Sequence, residues 1–303
     1  MKKRNKNFSK LSIGADIGLN IVFIIWTVLC IVPFLLILGI SFSDENSILE
    51  YGYRIIPVRF STAAYVFVTS ETTSLIRAYA ITIYATVAGT LLSVIITALF
   101  AYPLSRKDFR YRNIFSFIVF FTMIFQGGLV AGYMVYVEVL NLKNNLLVYL
   151  APFLMSAWNV ILMRTFMVTS IPDSLIDAAK IDGAGEWTIF NKIVMPLSLP
   201  GLATIALFTS IGIWNDWYTP LLYITDKKLY NLQFSLYSVL SNIEFLKSNF
   251  SIVGGHASQL LNNLPTQSVR MAMCIVSIGP IILAYPFFQK YFIKGLTIGA
   301  VKG

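Results

Sequence analysis

DAAKIDGAGEWTIFNKIVMPLSLPG, residues 177–201, is the stretch on which the fold turns. It is a compact polar run in a chain of 303 residues that is otherwise apolar: 57% hydrophobic and 12% charged, with a mean hydropathy of +0.73. Just upstream, Ser170 stands three residues before Asp173, a helix N-terminal capping pattern. Pro172 suits a first turn, where its missing N–H costs nothing. The spacing predicts a short helix running to about Asp182 and stopped by Gly183 in a left-handed conformation. A hinge at Ala184–Gly185 follows, then a second short helix from Glu186 to about Val194. Pro196 and Pro200 open the next apolar segment. On the first helix Leu175, Ala178 and Ala179 fall on one face. Asp173 and Asp177 are spaced so that they repel by a few tenths of a kcal/mol, which the positive helix end offsets. Asp182 sits at the negative end. The result is a rigid helix–glycine–helix knob with surplus acid. Two readings fit it: a structural turn between membrane spans, or a connector to a soluble partner.

Working outward, the flanking composition points to a bilayer. Soluble domains carry about 25% charged residues, and a spanning helix needs roughly 20 apolar ones. Six spans are expected, at about 17–42, 78–105, 113–137, 144–168, 197–224 and 271–290, in one all-α membrane domain covering 1–303. The polar segment is 170–196. The first run is too long for a signal-peptide core, and no A-x-A site follows it. Lys and Arg set the orientation. The N-terminal segment through Asp16 is net +4, the 106–112 loop +3, the polar segment taken together with Arg164 −1 and the tail +3. These carry the whole net charge of +9, and the alternate segments sum to zero. Both termini and the polar segment are therefore expected in the cytoplasm. This distribution is a topology signal and gives no nucleic-acid footprint, which would cluster on one folded face.

Little else carries chemistry. Cys30 and Cys274 lie inside expected spans and imply no disulfide framework. His256, the one histidine, has no nearby cysteine or acid cluster, so no metal site is expected. The external segment 226–270 holds YNLQFSLYSVL and SQLLNNL, which read either as short interfacial helices or as an irregular cap. In FQGGLVAGY, Gln126 falls near mid-membrane. Gly127, Gly128 and Gly132 allow close helix packing, or a bend where the helix lines a cavity.

The pattern Asp177-Ala178-Ala179, Gly183, Ile193 and Pro196 resembles the EAA motif of bacterial ABC importer permeases. The Ile181-Asp182-Gly183-Ala184 extension is similar to that of carbohydrate importers of the maltose and multiple-sugar type. LMRTFMVTSIPDSLIDAAKIDGA, Trp214-Asn215 and the tail GLTIGAVKG resemble the subgroup that imports complex oligosaccharides. The resemblance covers about Tyr65 to Gly303. Asp177 stands where the motif has Glu, Met195 where it has Leu, and Ala131–Gly132 where relatives often carry proline. The resemblance implies a type I importer permease fold with a cytoplasmic coupling helix, formed here by Asp177, Ala178, Ala179, Asp182, Gly183, Ala184 and Pro196. It implies a second homologous permease, two cytoplasmic ATPase subunits that use ATP and magnesium, an extracellular sugar-binding protein and an oligosaccharide substrate. The place implied is the bacterial cytoplasmic membrane, among lipid.

The chain has no Gly-Lys pair and so no phosphate-binding loop of the G-x-x-x-x-G-K-[ST] type. It offers no intramembrane cluster fit for a membrane enzyme and no paired mid-membrane charges of a self-contained carrier. An outward-running fifth span puts Asp216 roughly 7–8 Å into the outer half, at about 1.5 Å per residue. On that helix Trp214, Trp217 and Tyr218 share a face. Aromatic faces suit sugar rings, and amides or carboxylates suit hydroxyls. Asn215, Asp216, Trp214 and Trp217, with Trp158, Asn159 and Gln126, are thus the expected lining of a sugar path. An aromatic belt at the outer interface is the alternative for the tryptophans.

Overall fold

The computed structural model describes residues 13–70, 72–248 and 266–300. The basic N-terminal residues, His256, SQLLNNL and the last three residues of the tail lie outside them. Among the described residues there is no strand, only an isolated bridge between Ser43 and Phe60. Two compact units are distinguishable. One comprises the described residues up to Ser70 together with Leu246–Val276, and the other runs to Phe245 and resumes at Ser277.

The first unit opens with α1, Ile13–Ser41, whose apolar side chains stand exposed, Phe23, Trp26 and Leu29 among them. A helix apolar all round needs lipid or another apolar partner around it. Gly39 is pressed against the returning chain: a Cβ there would lie 2.1 Å from the Ile55 carbonyl oxygen. Asp44 caps α2, Glu45–Tyr51, by accepting from the Ser47 N–H. Phe42 stacks on Phe60 and Tyr65, which anchors α3, Ala63–Thr69. The Glu45 carboxylate accepts from the backbone N–H groups of Gln267 and Ser268 at 2.8–3.1 Å and from the Thr266 and Ser268 hydroxyls. It thereby caps the long C-terminal helix, Thr266–Ala300, at the end where the helix dipole favours an anion. Burial raises the Glu45 pKa, but those hydrogen bonds outweigh it and leave the carboxyl below its ordinary value.

In the second unit α4, Thr72–Ser105, packs against two later helices, α7 (Ala157–Ser170) and α10 (Leu199–Trp214). Close approach is built from small residues. A Cβ on Gly89 would lie 2.6 Å from Ile213 Cδ1, and one on Gly201 2.9 Å from the Phe166 ring. Ala98 and Ala101 on α4 are fully buried against a cluster that includes Met163, Met167, Ile189 and Ile205. Between helices in lipid, such packing rather than water exclusion is the main attraction.

Among the described residues, only Gly14–Ser41 and Ser74–Ser105 are single helices long and apolar enough to cross a membrane. Three expected spans are broken, and each break has a local cause. The third parts into α5, Arg112–Ile124, and α6, Gly128–Val139, bent by 112°. Gly128 has φ +80°, and Gly128 and Gly132 have open space where a Cβ would go. Among the described residues, Gly128 and Gly132 therefore permit a bend and not close packing. The fourth is α-helical only over α7. Asn144 is a turn residue with φ +54°, and the 3₁₀ run Leu146–Phe153 meets α7 at 50°. The fifth is not continuous over 197–224. Its helix α10 ends at Trp214, and a short helix, α11 (Tyr218–Tyr223), follows. The stretch YNLQFSLYSVL lies within one helix, α12, Leu232–Ser248 apart from its first two residues. The sixth span falls within α13, Thr266–Ala300, which carries Pro280 and Pro286.

Candidate coupling segment and membrane path

The polar segment folds nearly as its spacing predicts. Helix α8 spans Asp173–Ile181. Ser170 does not cap it: Ser170 is the last residue of α7, and Pro172, in extended conformation, precedes α8 without a side-chain cap. At the far end Gly183 has φ +80°. Its N–H donates to the Lys180 carbonyl at 3.0 Å, and the Ala184 N–H donates to the Ala179 carbonyl at 2.9 Å. These two bonds form a Schellman closure, and Ala184 packs into the same apolar cluster as Ala179. Gly185 then starts α9, Glu186–Leu197, which contains a π turn at Phe190–Val194. Pro196 lies in its last turn, and α9 meets α10 at 74° across Ser198.

The inward face differs from the expected one. Ile176 and Ala179 are buried against α4 and α7, whereas Leu175 and Ala178 face outward. Asp177, Asp182 and Gly183 are exposed too, with Ile181 at 85% and Trp187 at 67% of full exposure. Neither Asp177 nor Asp182 pairs with a cation among the described residues. Apart from Asp173, the ion pairs are made by residues that the spacing did not single out. Lys180 Nζ lies 3.0 Å from Glu186 Oε1 and 2.5 Å from Asp108 Oδ2. Tyr102 donates to Glu186 Oε2 at 2.5 Å, and Lys107 pairs with Asp173 at 2.6 Å. This latch joins α8 and α9 to the end of α4. The Tyr102 hydrogen bond, with Lys180, holds the Glu186 carboxyl below its ordinary value. The Lys180 hydrogen bond does the same for Asp108, and both acids push Lys180 upward. Exposed pairs contribute only about 0–1 kcal/mol each. The apolar cluster therefore attaches the segment, and the ions fix its orientation. The complementary charges of the 106–112 loop and of Lys180 and Glu186 were the available sequence signal.

The expected path residues separate into two groups. Trp214 is buried and donates its indole N–H to the Ser277 carbonyl at 3.0 Å. Asn159 is buried and faces Thr209 Oγ1 at 3.4 Å. Asp216 is buried at the break, where its Oδ1 accepts from the Tyr218 and Thr219 N–H groups and so caps α11. Because the helix stops at Trp214, the depth expected for Asp216 does not apply, nor does a face shared by Trp214 and Trp217. Gln126, at the 112° break, Trp158, Asn215 and Trp217 are exposed. Asn215 and Trp217 adjoin residues that sequence reasoning missed. Gln233 Nε2 reaches Ser277 Oγ at 2.6 Å and Asn215 Oδ1 at 3.5 Å, and Trp217 stacks on Tyr237 at 4.7 Å. Tyr218 meets Trp217 edge-on. An amide pair beside exposed rings can bind polyhydroxyl compounds. No group of three or more potential ligands for a metal ion occurs among the described residues.

Residues 93–298, which include the latch, the Schellman turn and the amide–aromatic cluster, match the family model of the binding-protein-dependent transport system inner membrane component. The chain belongs to that family. It is a membrane-embedded permease component of an ABC importer. It is 34% identical over 280 residues to the polygalacturonan/rhamnogalacturonan transport system permease protein YtcP of Bacillus subtilis strain 168, covering 92% of this chain and 95% of YtcP. It is 37% identical to the protein LplC of the same organism, covering 90% of each. A crystal structure of a bacterial ABC transporter involved in the import of the acidic polysaccharide alginate matches with a TM-score of 0.76 at 30% identity. That match covers 93% of this chain and 99% of the other.

Proposed function

We propose that this permease takes oligosaccharides inward through the cytoplasmic membrane, as one membrane domain with both termini inside, beside a second homologous permease. An extracellular binding protein delivers the sugar, and two cytoplasmic ATPase subunits supply the work with ATP and magnesium. ATP hydrolysis belongs to those subunits, since this chain carries no phosphate-binding loop. The observation that carries the reading is the polar segment. It is clamped on its inner face and latched to α4, while Leu175, Asp177, Ala178, Ile181 and Asp182 remain outward and unpartnered. A rigid knob with an apolar and acidic outer face fits the groove of a soluble subunit. Closure of that subunit would push α8 and α9, and through them α4, α7 and α10.

The solute reading rests on the relatives' names, among them polygalacturonan/rhamnogalacturonan and the acidic polysaccharide alginate. Acidic oligosaccharides are therefore the first solutes to test. A second reading, a smaller anionic solute, is favoured by one relative, the sn-glycerol-3-phosphate permease UgpE of Yersinia pestis, 26% identical over 300 residues. The amide–aromatic cluster of Asn215, Trp217, Tyr218, Gln233 and Tyr237 supports the sugar. Reconstituting the full transporter with its binding protein and measuring ATP-dependent uptake of labelled acidic oligosaccharides against glycerol phosphate decides between them. Uptake of neither solute would overturn both readings. Orientation is tested separately. Ile181→Cys in a cysteine-free background should resist an impermeant thiol reagent in intact cells and react in inverted vesicles.

A further inference from the structure

Between the ends of α4, α5, α7 and α8 lies a cavity of about 320 Å³. Arg106, Lys107, Arg112 and Arg164 line it, and Asp173 is the one carboxylate among its lining residues. Its remaining wall includes Met167, Ile171 and Val194, all buried. Lys107 is paired with Asp173 and Arg106 with Asp108, so the cations left over are Arg112 and Arg164. Arg106 is 8% exposed; its Nη2 donates to Asp108 Oδ2 at 3.4 Å, while its Nε, 3.4 Å from Asp108 Oδ1, makes no hydrogen bond. Arg164 spends its Nε on the Leu104 carbonyl, and neither Arg164 nor Arg112 has a carboxylate partner among the described residues. Asp108, the nearest other acid, is already shared between Arg106 and Lys180.

Half-buried guanidinium groups without counter-charge are costly and call for an anion. A planar guanidinium favours phosphate oxygens, which it binds through two parallel N–H donors. The surroundings say what the phosphate is attached to. Val168, in the lining, and Ile114 and Phe117, on neighbouring α5, are exposed at 51%, 58% and 63%. A ligand that places its phosphate on the arginines and hydrocarbon along these side chains satisfies both. Basic pockets between helices at the cytoplasmic side suit anionic lipid head groups.

We propose that this cavity binds the phosphate head group of an anionic phospholipid of the cytoplasmic leaflet, held by Arg112 and Arg164, beside Arg106, behind the coupling segment. The lipid would complete the wall on which α8 rests, and the charge of the inner leaflet would then influence how firmly the knob is seated.

The test uses the full chain, purified in mild detergent with any subunits it retains, stripped of lipid and incubated with phosphatidylglycerol or phosphatidylcholine. Bound lipid is read by native mass spectrometry, so the result does not depend on whether the protein transports sugar. Phosphatidylglycerol should be retained preferentially. Arg112→Gln, which removes no recorded hydrogen bond, should lower its retention about fivefold, and Arg112→Gln with Arg164→Gln about 25-fold, the worth of one and two charges near a lipid head group. Asp173→Asn should raise retention, a gain that a misfolded protein cannot show. Unchanged retention in the double variant, or a loss in Asp173→Asn, overturns the proposal. So does displacement of the lipid by millimolar inorganic phosphate, which would make the site one for free phosphate.

Discussion

The segment 173–197 and the break at 215–217 both interrupt helical spans, and both hold acids that the sequence marks as unusual. They use those acids in opposite ways. At the first, the backbone closes itself: Gly183 and Ala184 satisfy the carbonyls of Lys180 and Ala179, and Asp177 and Asp182 stay exposed. At the second, there is no glycine to close the turn, and the Asp216 carboxylate is consumed in capping α11. A helix break that can satisfy its own backbone leaves its side chains free for a partner. One that cannot must spend a side chain.

The strongest attempt to break this contrast is Gly183→Leu. A Cβ there meets nothing within 4 Å, so the penalty is the left-handed backbone alone, on the order of 1 kcal/mol and more for a bulky residue. The chain should still insert, but uptake and ATPase stimulation should be abolished as α9 is re-aimed. Gly183→Asn, which tolerates this conformation better, should keep a substantial part of both. Uptake at the normal rate in Gly183→Leu would remove the segment from coupling.

Next is Asp216→Leu, which removes a buried cap and should cost about 1–2 kcal/mol of stability, read as a lower melting temperature in detergent. Asp216→Asn keeps an acceptor and should lose less. Asn215→Leu should spare the melting temperature and reduce sugar uptake with ATPase stimulation retained. If the two sites gave the same pattern, the distinction between a buried cap and an exposed amide at this break would fail. Asp177→Lys should leave the melting temperature unchanged, because Asp177 is exposed and unpaired, and weaken ATPase binding about tenfold if the groove is basic. Pull-down of the ATPase from the purified complex reads this directly.

The smallest effect concerns the latch. Lys180→Met should leave the melting temperature almost unchanged, because the pairs it breaks are solvent-screened. Glu186 and Asp108 have folded pKa values below their ordinary 4.5 and 3.8, so their contribution is complete above those values and is lost as pH falls through the folded ones. Lys180 is raised above 10.5, so its share is complete below that value and is lost as pH rises through the folded one. Stability of the wild type relative to Lys180→Met should therefore be flat from about pH 5 to 10. A change in that difference near pH 7 would mean that another group operates the latch.

The candidate coupling segment was largely legible because its information is local. A glycine demanded by a positive φ, two prolines and a motif of fixed spacing act within one turn of themselves. The inward face of α8 was read one residue out of phase, since a nine-residue helix with apolar residues at 175, 176, 178, 179 and 181 offers more than one stripe. The broken spans were poorly legible for a related reason. Hydropathy counts apolar residues and is blind to direction, so 113–137 and 197–224 score as continuous although the chain turns within them. Glycines 127 and 128 gave the signal for the first. For the second, Asn215-Asp216 was the signal, and it was read as lining where it is partly a cap. Gln233 and Tyr237 reach the cluster from a helix fifteen or more residues away, which no local pattern reveals.

The bond from Glu45 to residues 266–268 joins parts of the chain 221–223 positions apart. During synthesis at roughly 5–20 residues per second, Glu45 leaves the ribosome about 10–45 s before its partners exist. For that interval the carboxylate must remain solvated or borrow another donor, and the C-terminal helix, once made, arrives at an acceptor already waiting for its first turn. The order of manufacture thus gives the closing step to the last helix. A truncated product that lacks it would leave that carboxylate in water without its helix, a chemical mark by which incomplete chains differ from finished ones.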